Sequence, residues 1–277
     1  MTGLLDGKVA IITGAGRGIG ASCAKLFAEH RAKVVVSDID NAPAQAVVTD
    51  IRNAGGDAVE ICGDITDPDF PGKLVSETLS KYNSIDIIVN NAGYTWDGML
   101  HNMTDEQFKT MLEVHNTAPF RLIRAAAPHM HEKAKKEKAE GGNIAPRCIV
   151  NVSSTSGLHG NIGQVNYATA KMGVVGMTKT IAREWGAFGI RCNAVAYGFI
   201  DTRLTASKQA SSETIEVDGQ KVQLGIPDKL RETVAYAIPL GRGGTADEAA
   251  NAILFLASPM ASYITGHTLE VTGGMGI

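Results

Sequence analysis

The four cysteines of the 277-residue chain, Cys23, Cys62, Cys148 and Cys192, stand far apart, and none forms the C-x-x-C pairing of a metal or redox site. That usage fits a reduced compartment. Cys192, set in an apolar strand pattern, reads as a small buried hydrophobe and not as a reactive thiol. No apolar stretch approaches the roughly 20 residues that span a bilayer. The first apolar run, 9–12, is too early and too short to belong to an export signal, so a cytoplasmic location is expected. His101, His115, His129, His131, His159 and His267 show no zinc spacing, and no metal is expected. A net charge of −3 gives no basic field for nucleic acid or an anionic membrane, so an anionic ligand needs a local site.

What is present is an ordinary soluble composition, 44% hydrophobic and 20% charged, able to bury a large core. Short β-branched runs at 9–12, 34–36, 58–61, 85–89, 148–152, 190–195 and 268–271 alternate with helical patterns. Several are apolar on both parities, as strands covered on both faces are. The chain therefore reads as one α/β domain over 1–277, a Rossmann-type doubly wound parallel sheet of about seven strands with helices on both faces. Two segments depart from the alternation. Residues 131–147 read as an exposed helix end and loop. Residues 202–231 form a polar connection long enough to be a lid, with Leu204, Ile215, Val217, Val222, Leu224 and Ile226 available to cover a short acyl chain.

Thr13-Gly14-Ala15-Gly16-Arg17-Gly18-Ile19-Gly20 follows the first strand and opens the first helix, where backbone amides meet a pyrophosphate. Asp38, at the end of the second strand, can accept from the adenosine ribose hydroxyls of NAD and repel the 2′-phosphate of NADP. Arg17 pulls the other way, since a guanidinium pairs with a 2′-phosphate. NAD is the expected cofactor, NADP the lesser alternative. Tyr167 and Lys171 stand four residues apart on one helical face, a phenol beside an ammonium that favours the phenolate. Such a pair suits proton transfer to or from a secondary alcohol while hydride passes to or from nicotinamide. Ser154, at the end of the fifth strand, can orient the carbonyl oxygen, with Ser153 and Ser156 as alternatives.

The ordered set Thr13-Gly14-x-x-x-Gly18-Ile19-Gly20, Asn90-Asn91-Ala92-Gly93 and Tyr167-x-x-x-Lys171 resembles the short-chain dehydrogenase/reductase family along essentially the whole chain. Within it, Gly160-Asn161-x-Gly163-Gln164-x-Asn166-Tyr167 and the C-terminal Ile264-Thr265-Gly266-His267-Thr268 segment are most similar to the 3-oxoacyl-acyl-carrier-protein reductase group. The resemblance implies a catalytic set of Asn116, Ser154, Tyr167 and Lys171, with Asn116 fixing a water near Lys171. It further implies that Asp64 meets the adenine, that Asn91 braces the sheet beside the cofactor, and that Ile65, Ala92 and Gly93, with Tyr167 and Lys171, also bind the cofactor. Ile200 and Thr202 would meet the nicotinamide carboxamide. A homotetramer packed through helices at 104–130 and 163–185 is also implied, as is a 3-hydroxyacyl or 3-oxoacyl thioester substrate. Polyol, sugar and steroid dehydrogenation, and non-catalytic dinucleotide binding, remain the alternatives. Tyr197 stands where the family commonly has proline, removing a rigid turn and adding a phenol on the nicotinamide side.

Overall fold

The computed structural model describes residues 3–142, 144–207, 214–217, 220–223, 225–226 and 228–276. Nine strands occur among them: β1 (Val9–Thr13), β2 (Lys33–Ser37), β3 (Asp57–Glu60), β4 (Ile87–Asn90), β5 (Arg147–Ser154), β6 (Ile190–Tyr197), β7 (Thr214–Val217), β8 (Gln220–Gln223) and β9 (Thr268–Val271). Seven form one sheet in the order β3-β2-β1-β4-β5-β6-β9, with every neighbouring pair parallel. β7 and β8 make a separate antiparallel hairpin. The seven apolar runs all become sheet strands, and the hairpin lies inside the connection read as a polar loop. The side chains of Leu204, Ile215, Val217, Val222 and Leu224, named there as acyl-chain cover, lie outside the described residues.

The helices are α1 (Gly18–Glu29), α2 (Asn41–Asn53), α3 (Phe70–Tyr82), α4 (Asp105–Leu112), α5 (Ala118–Ala139), α6 (Thr155–His159), α7 (Val165–Trp185), α8 (Asp228–Ala237) and α9 (Ala246–Ala257). Strand alternation divides the core in two. Ala10, Ile12, Val34 and Val36 face one side, where Phe27 of α1, Val47 of α2 and Ile253 of α9 pack on them. Ile11, Val35, Ile88 and Ile149 face the other, against Leu74 of α3 and Leu122 and Met130 of α5. Ile11 and Ile88 are fully buried, each worth about 1.5–3 kcal/mol of removed apolar surface. This is the Rossmann-type α/β architecture that the runs apolar on both parities predict.

Residues 104–130 are not one regular helix. Thr104 caps α4 with a box closed by Gln107, and a π-turn over Glu113–Thr117 then joins α4 to α5. The 131–147 segment is also more than a solvated end. Helix α5 continues to Ala139, and Glu137 holds the buried Arg147 at the start of β5 through two hydrogen bonds of 2.6 and 2.9 Å. Those bonds hold the Glu137 carboxyl down at about 2.

Candidate active site

The strand order reverses direction between β1 and β4, which opens a crevice at their C-terminal ends. A cleft of about 690 Å³ lies there, lined by Gly14, Arg17, Gly18 and Ile19 after β1 and by Asn91, Ala92 and Gly93 after β4. Asp38, Asp64 and Ile65 line its outer end and Thr202 its other wall. Of the residues expected to hold a cofactor, these eleven converge on one cleft.

The β1–α1 turn needs glycine for reasons visible in the packing. A Cβ on Gly20 would stand 2.1 Å from the Gly14 carbonyl oxygen, and one on Gly14, whose φ is +62°, would stand 2.8 Å from the Ala92 Cα. Helix α1 begins after an extended Arg17 with no side-chain cap, which leaves its first amides directed at the cleft for an anionic ligand. Asn91 donates to the Thr13 and Gly14 carbonyls at 3.0 Å, and Thr13 Oγ1 accepts from the Asn91 and Ala92 amides at 3.1 Å. The two loops that flank the crevice are thus sewn together.

At the outer end, Asp38 accepts from the Gly16 amide at 2.8 Å and from the Asp40 amide at 3.1 Å. Arg17 is already paired, 2.6 Å from Asp40. Asp64 accepts from the Thr66 amide and hydroxyl at 2.8 and 2.7 Å, which fixes the loop after β3. Backbone amides, required glycines and a carboxylate on the ribose side together suit a dinucleotide.

The inner end lies past Gly93 and Tyr94, whose loop packs on His115 and through it on Tyr167. There Ser154 closes β5, Tyr167 lies in the first turn of α7, and Lys171 follows one turn later, all three beside the cleft and not among the residues that line it. The Lys171 ammonium stands 5.5 Å from the centre of the Tyr167 ring and donates to the Val152 carbonyl at 2.8 Å. Burial pushes the Tyr167 phenol up to about 12, against a hydrogen bond from Ser154 that lowers it, with the Asp97 charge adding to the rise. Burial also drives Lys171 down to about 7. The phenol is therefore not lowered in the protein alone, contrary to the reading from spacing, because the desolvation that disfavours phenolate also weakens the lysine's hold on its proton. Of the three serines, Ser153 donates to the Lys171 carbonyl, and Ser154, whose Oγ also accepts from the Ser156 amide, is the hydroxyl that meets the phenol.

Three expected residues are tied into the fold by their side chains. The Asn116 side chain donates to the Ala170 carbonyl at 2.9 Å and packs against Gly173, so its amide ties the π-turn to α7. The side chain of Ile200 belongs to the core, which leaves any ligand contact to its backbone. Tyr197 does not add a phenol to the pocket: it pairs with Ser154 as the last residue of β6, is buried, and donates to the Ala249 carbonyl of α9 at 2.7 Å. Sequence reasoning missed His115, whose ring meets Tyr167 edge-on at 5.2 Å, and Asp97, which accepts from Gln164. Neither position carries a spacing signal, since both depend on contacts between distant segments.

A dinucleotide cleft at the strand ends, with a serine, a tyrosine and a lysine gathered beside it, defines an oxidoreductase that works between a CH–OH group and a carbonyl. The chain belongs to the short-chain dehydrogenase/reductase family, and a family model described as enoyl-(acyl carrier protein) reductase matches residues 14–276. A 3-oxoacyl-(acyl-carrier-protein) reductase of Thermotoga maritima is 38% identical over 273 residues, 99% of each chain. The protein of that name in Chlamydia muridarum is 38% identical over 276 residues, 99% of this chain and 100% of the relative. The one in Escherichia coli is 37% identical over 270 residues, 98% of each.

Proposed function

We propose that this chain is an NAD(H)-linked enzyme that interconverts 3-hydroxyacyl and 3-oxoacyl thioesters, with Tyr167 as its acid/base. The observation that carries the chemistry is the meeting of Ser154, Tyr167 and Lys171, from β5 and α7, beside the loop of Gly93 and Tyr94 that lines the cleft. Tyr167 gives its phenolic proton to the forming alkoxide in reduction and takes it back in oxidation. Ser154 holds the carbonyl oxygen beside the phenol as a neutral donor. Bound nicotinamide supplies or accepts the hydride, and its oxidised form adds a positive charge that favours the phenolate. Lys171 stands 5.5 Å from the centre of the Tyr167 ring, and its protonated form serves the same end. Asn116 has its side chain committed to α7, so its role in holding a water falls to its backbone carbonyl.

The NAD preference is supported by the outer end of the cleft. Asp38 faces the ribose side while bonded to the Gly16 amide, and the guanidinium that would welcome a 2′-phosphate is held by Asp40. Gly14, Gly18, Ile19, Asn91, Ala92 and Gly93 would hold the pyrophosphate and nicotinamide side, and Asp64 and Ile65 the adenine. Thr202 and the Ile200 backbone would meet the carboxamide. The substrate class is supported by the names of the relatives, which act on 3-oxoacyl groups carried on a protein.

The single domain works in the cytoplasm as a homotetramer. In support, no helix among the described residues is long and apolar enough to cross a membrane. Exposed Phe120 on α5 and Met172 on α7 offer apolar contact to another subunit. The test compares 3-hydroxybutyryl-CoA with polyols and hydroxysteroids at equal concentration, with NAD and with NADP. The thioester should win. A polyol or steroid leading by more than about tenfold in kcat/KM, roughly 1.4 kcal/mol of transition-state stabilisation, sinks the thioester reading.

A further inference from the structure

The π-turn over Glu113–Thr117 directs His115 into the interior, where it is 2% exposed. Its Nε2 lies 2.9 Å from the Tyr94 carbonyl oxygen, and a carbonyl only accepts, so Nε2 carries the proton. Nδ1 is then a bare lone pair, buried and without a partner. On one side the ring stands edge-on to Tyr167, with centroids 5.2 Å apart and planes at 84°. On another it is pressed against the loop after β4: a Cβ on Gly93 would stand 2.2 Å from Cε1 and 2.7 Å from Nδ1. One imidazole therefore spans from the cofactor-side loop to the acid/base ring. Burial and the nearby Lys171 charge hold it well below the usual imidazole range, so it stays neutral and in one tautomer.

We propose that His115 is the positioning residue that fixes Tyr167 against the loop carrying Gly93 and Tyr94, so that the acid/base and the cofactor's seat keep one geometry. The inference rests on the reading of Tyr167 as the acid/base. The two parts of the imidazole have separable duties. Nε2–H holds the loop through the Tyr94 carbonyl, and the ring edge holds the phenol. The polar and charged groups otherwise facing that phenol are Lys171 on α7, Ser154 at the end of β5 and Asp97 beyond β4.

The test dissects the imidazole with two substitutions. His115→Gln keeps a donor in reach of Tyr94 and removes the ring. It should lower kcat about tenfold or more, since a misplaced reacting group loses rate steeply. It should also shift the Tyr167 limb of the kcat/KM pH profile, because water reaches the phenol, and leave the cofactor KM within about threefold. His115→Phe keeps a ring and removes the donor. It should preserve the pH limb and raise the cofactor KM about tenfold, because a part-buried carbonyl loses its partner.

Both halves of the split are also read without turnover, by tyrosinate absorbance titration against Tyr167→Phe and by NADH fluorescence titration. An inactive parent enzyme would thus sink the functional reading and still leave His115 tested. Gly93→Ala, which drives a methyl group into the imidazole, is the third arm and should shift the tyrosinate titration as His115→Gln does. If the Gln and Phe variants lose both properties alike, if neither moves either property beyond about twofold, or if Gly93→Ala leaves the titration unchanged, the proposal is overturned.

Discussion

At the outer end of the cleft, Asp38, Arg17 and Asp40 meet in reach of solvent, with the Arg17 and Asp40 side chains 39% and 52% exposed. At the inner end, Lys171 and His115 are 4% and 2% exposed, and burial leads the shifts of Lys171, His115 and Tyr167. The outer end works by charge placed in water, where salt screens it over about 10 Å and each pair is worth little. The inner end works by withholding water, where the same charges are costly and their protonation states move by units. Discrimination between cofactors is therefore expected to be shallow and salt-dependent, and proton transfer steep and salt-independent.

The largest expected effect breaks the inner end. Tyr167→Phe keeps the ring against His115 and removes only the proton, so turnover should fall by about a thousandfold or more while NADH binding stays within about threefold. Steady-state kinetics beside a fluorescence titration checks both. Turnover within tenfold of the parent would reassign the acid/base.

That tyrosine and its lysine were legible because their i, i+4 spacing and the Gly14, Asn91 and Asp38 positions are local patterns with fixed places on strands and helix starts. The seven sheet strands were legible for a similar reason, since residues such as Ile11 and Ile12 face opposite layers and both must be apolar. What escaped depends on contacts between distant segments. A π-turn adds one residue to a helical turn without leaving a periodic mark, so His115 read as a bystander. Tyr197 looked like a pocket residue because only the sheet register shows its phenol passing to Ala249. The Glu137–Arg147 pair, likewise, turned a charged tail into a strap on β5.

The next effect is on stability and sharpens the view that burial governs the inner end. Lys171 falls from an ordinary 10.5 to about 7 in the folded chain, so between those values the unfolded chain binds more protons than the folded one. Stability must then rise with pH across that interval. Above about pH 9 the buried thiols Cys148 and Cys192, raised to about 11 and 12, work in the opposite sense, so the clean window is pH 7 to 9. Over it, the cofactor-free protein should gain roughly 2 kcal/mol relative to Lys171→Met, read from urea melts at both pH values. A parallel pH dependence in the two proteins would mean that Lys171 is not desolvated.

At the outer end, Asp38→Asn keeps an acceptor for the Gly16 amide and removes the charge that opposes a 2′-phosphate. The ratio of kcat/KM for NAD over NADP should fall about tenfold, near the 1–2 kcal/mol that a partly exposed charge provides. An unchanged ratio would place cofactor choice elsewhere.

The smallest effect tests whether Arg17 is held in check. Its guanidinium is 2.6 Å from Asp40 and both side chains are well exposed, so the pair itself adds well under 1 kcal/mol to stability. Its value lies in what it prevents. Asp40→Asn frees Arg17 beside the ribose position while leaving Asp38 and its bond to the Gly16 amide in place. NADP use should then rise about threefold in kcat/KM, NAD use should hold, and the melting temperature should move little. Because the gain is a screened charge contact, raising salt from about 0.05 to 0.5 M should abolish it, whereas the loss in Tyr167→Phe should not change with salt. A gain that survives high salt would show Arg17 working by shape, and no gain would leave Asp38 alone in deciding the cofactor.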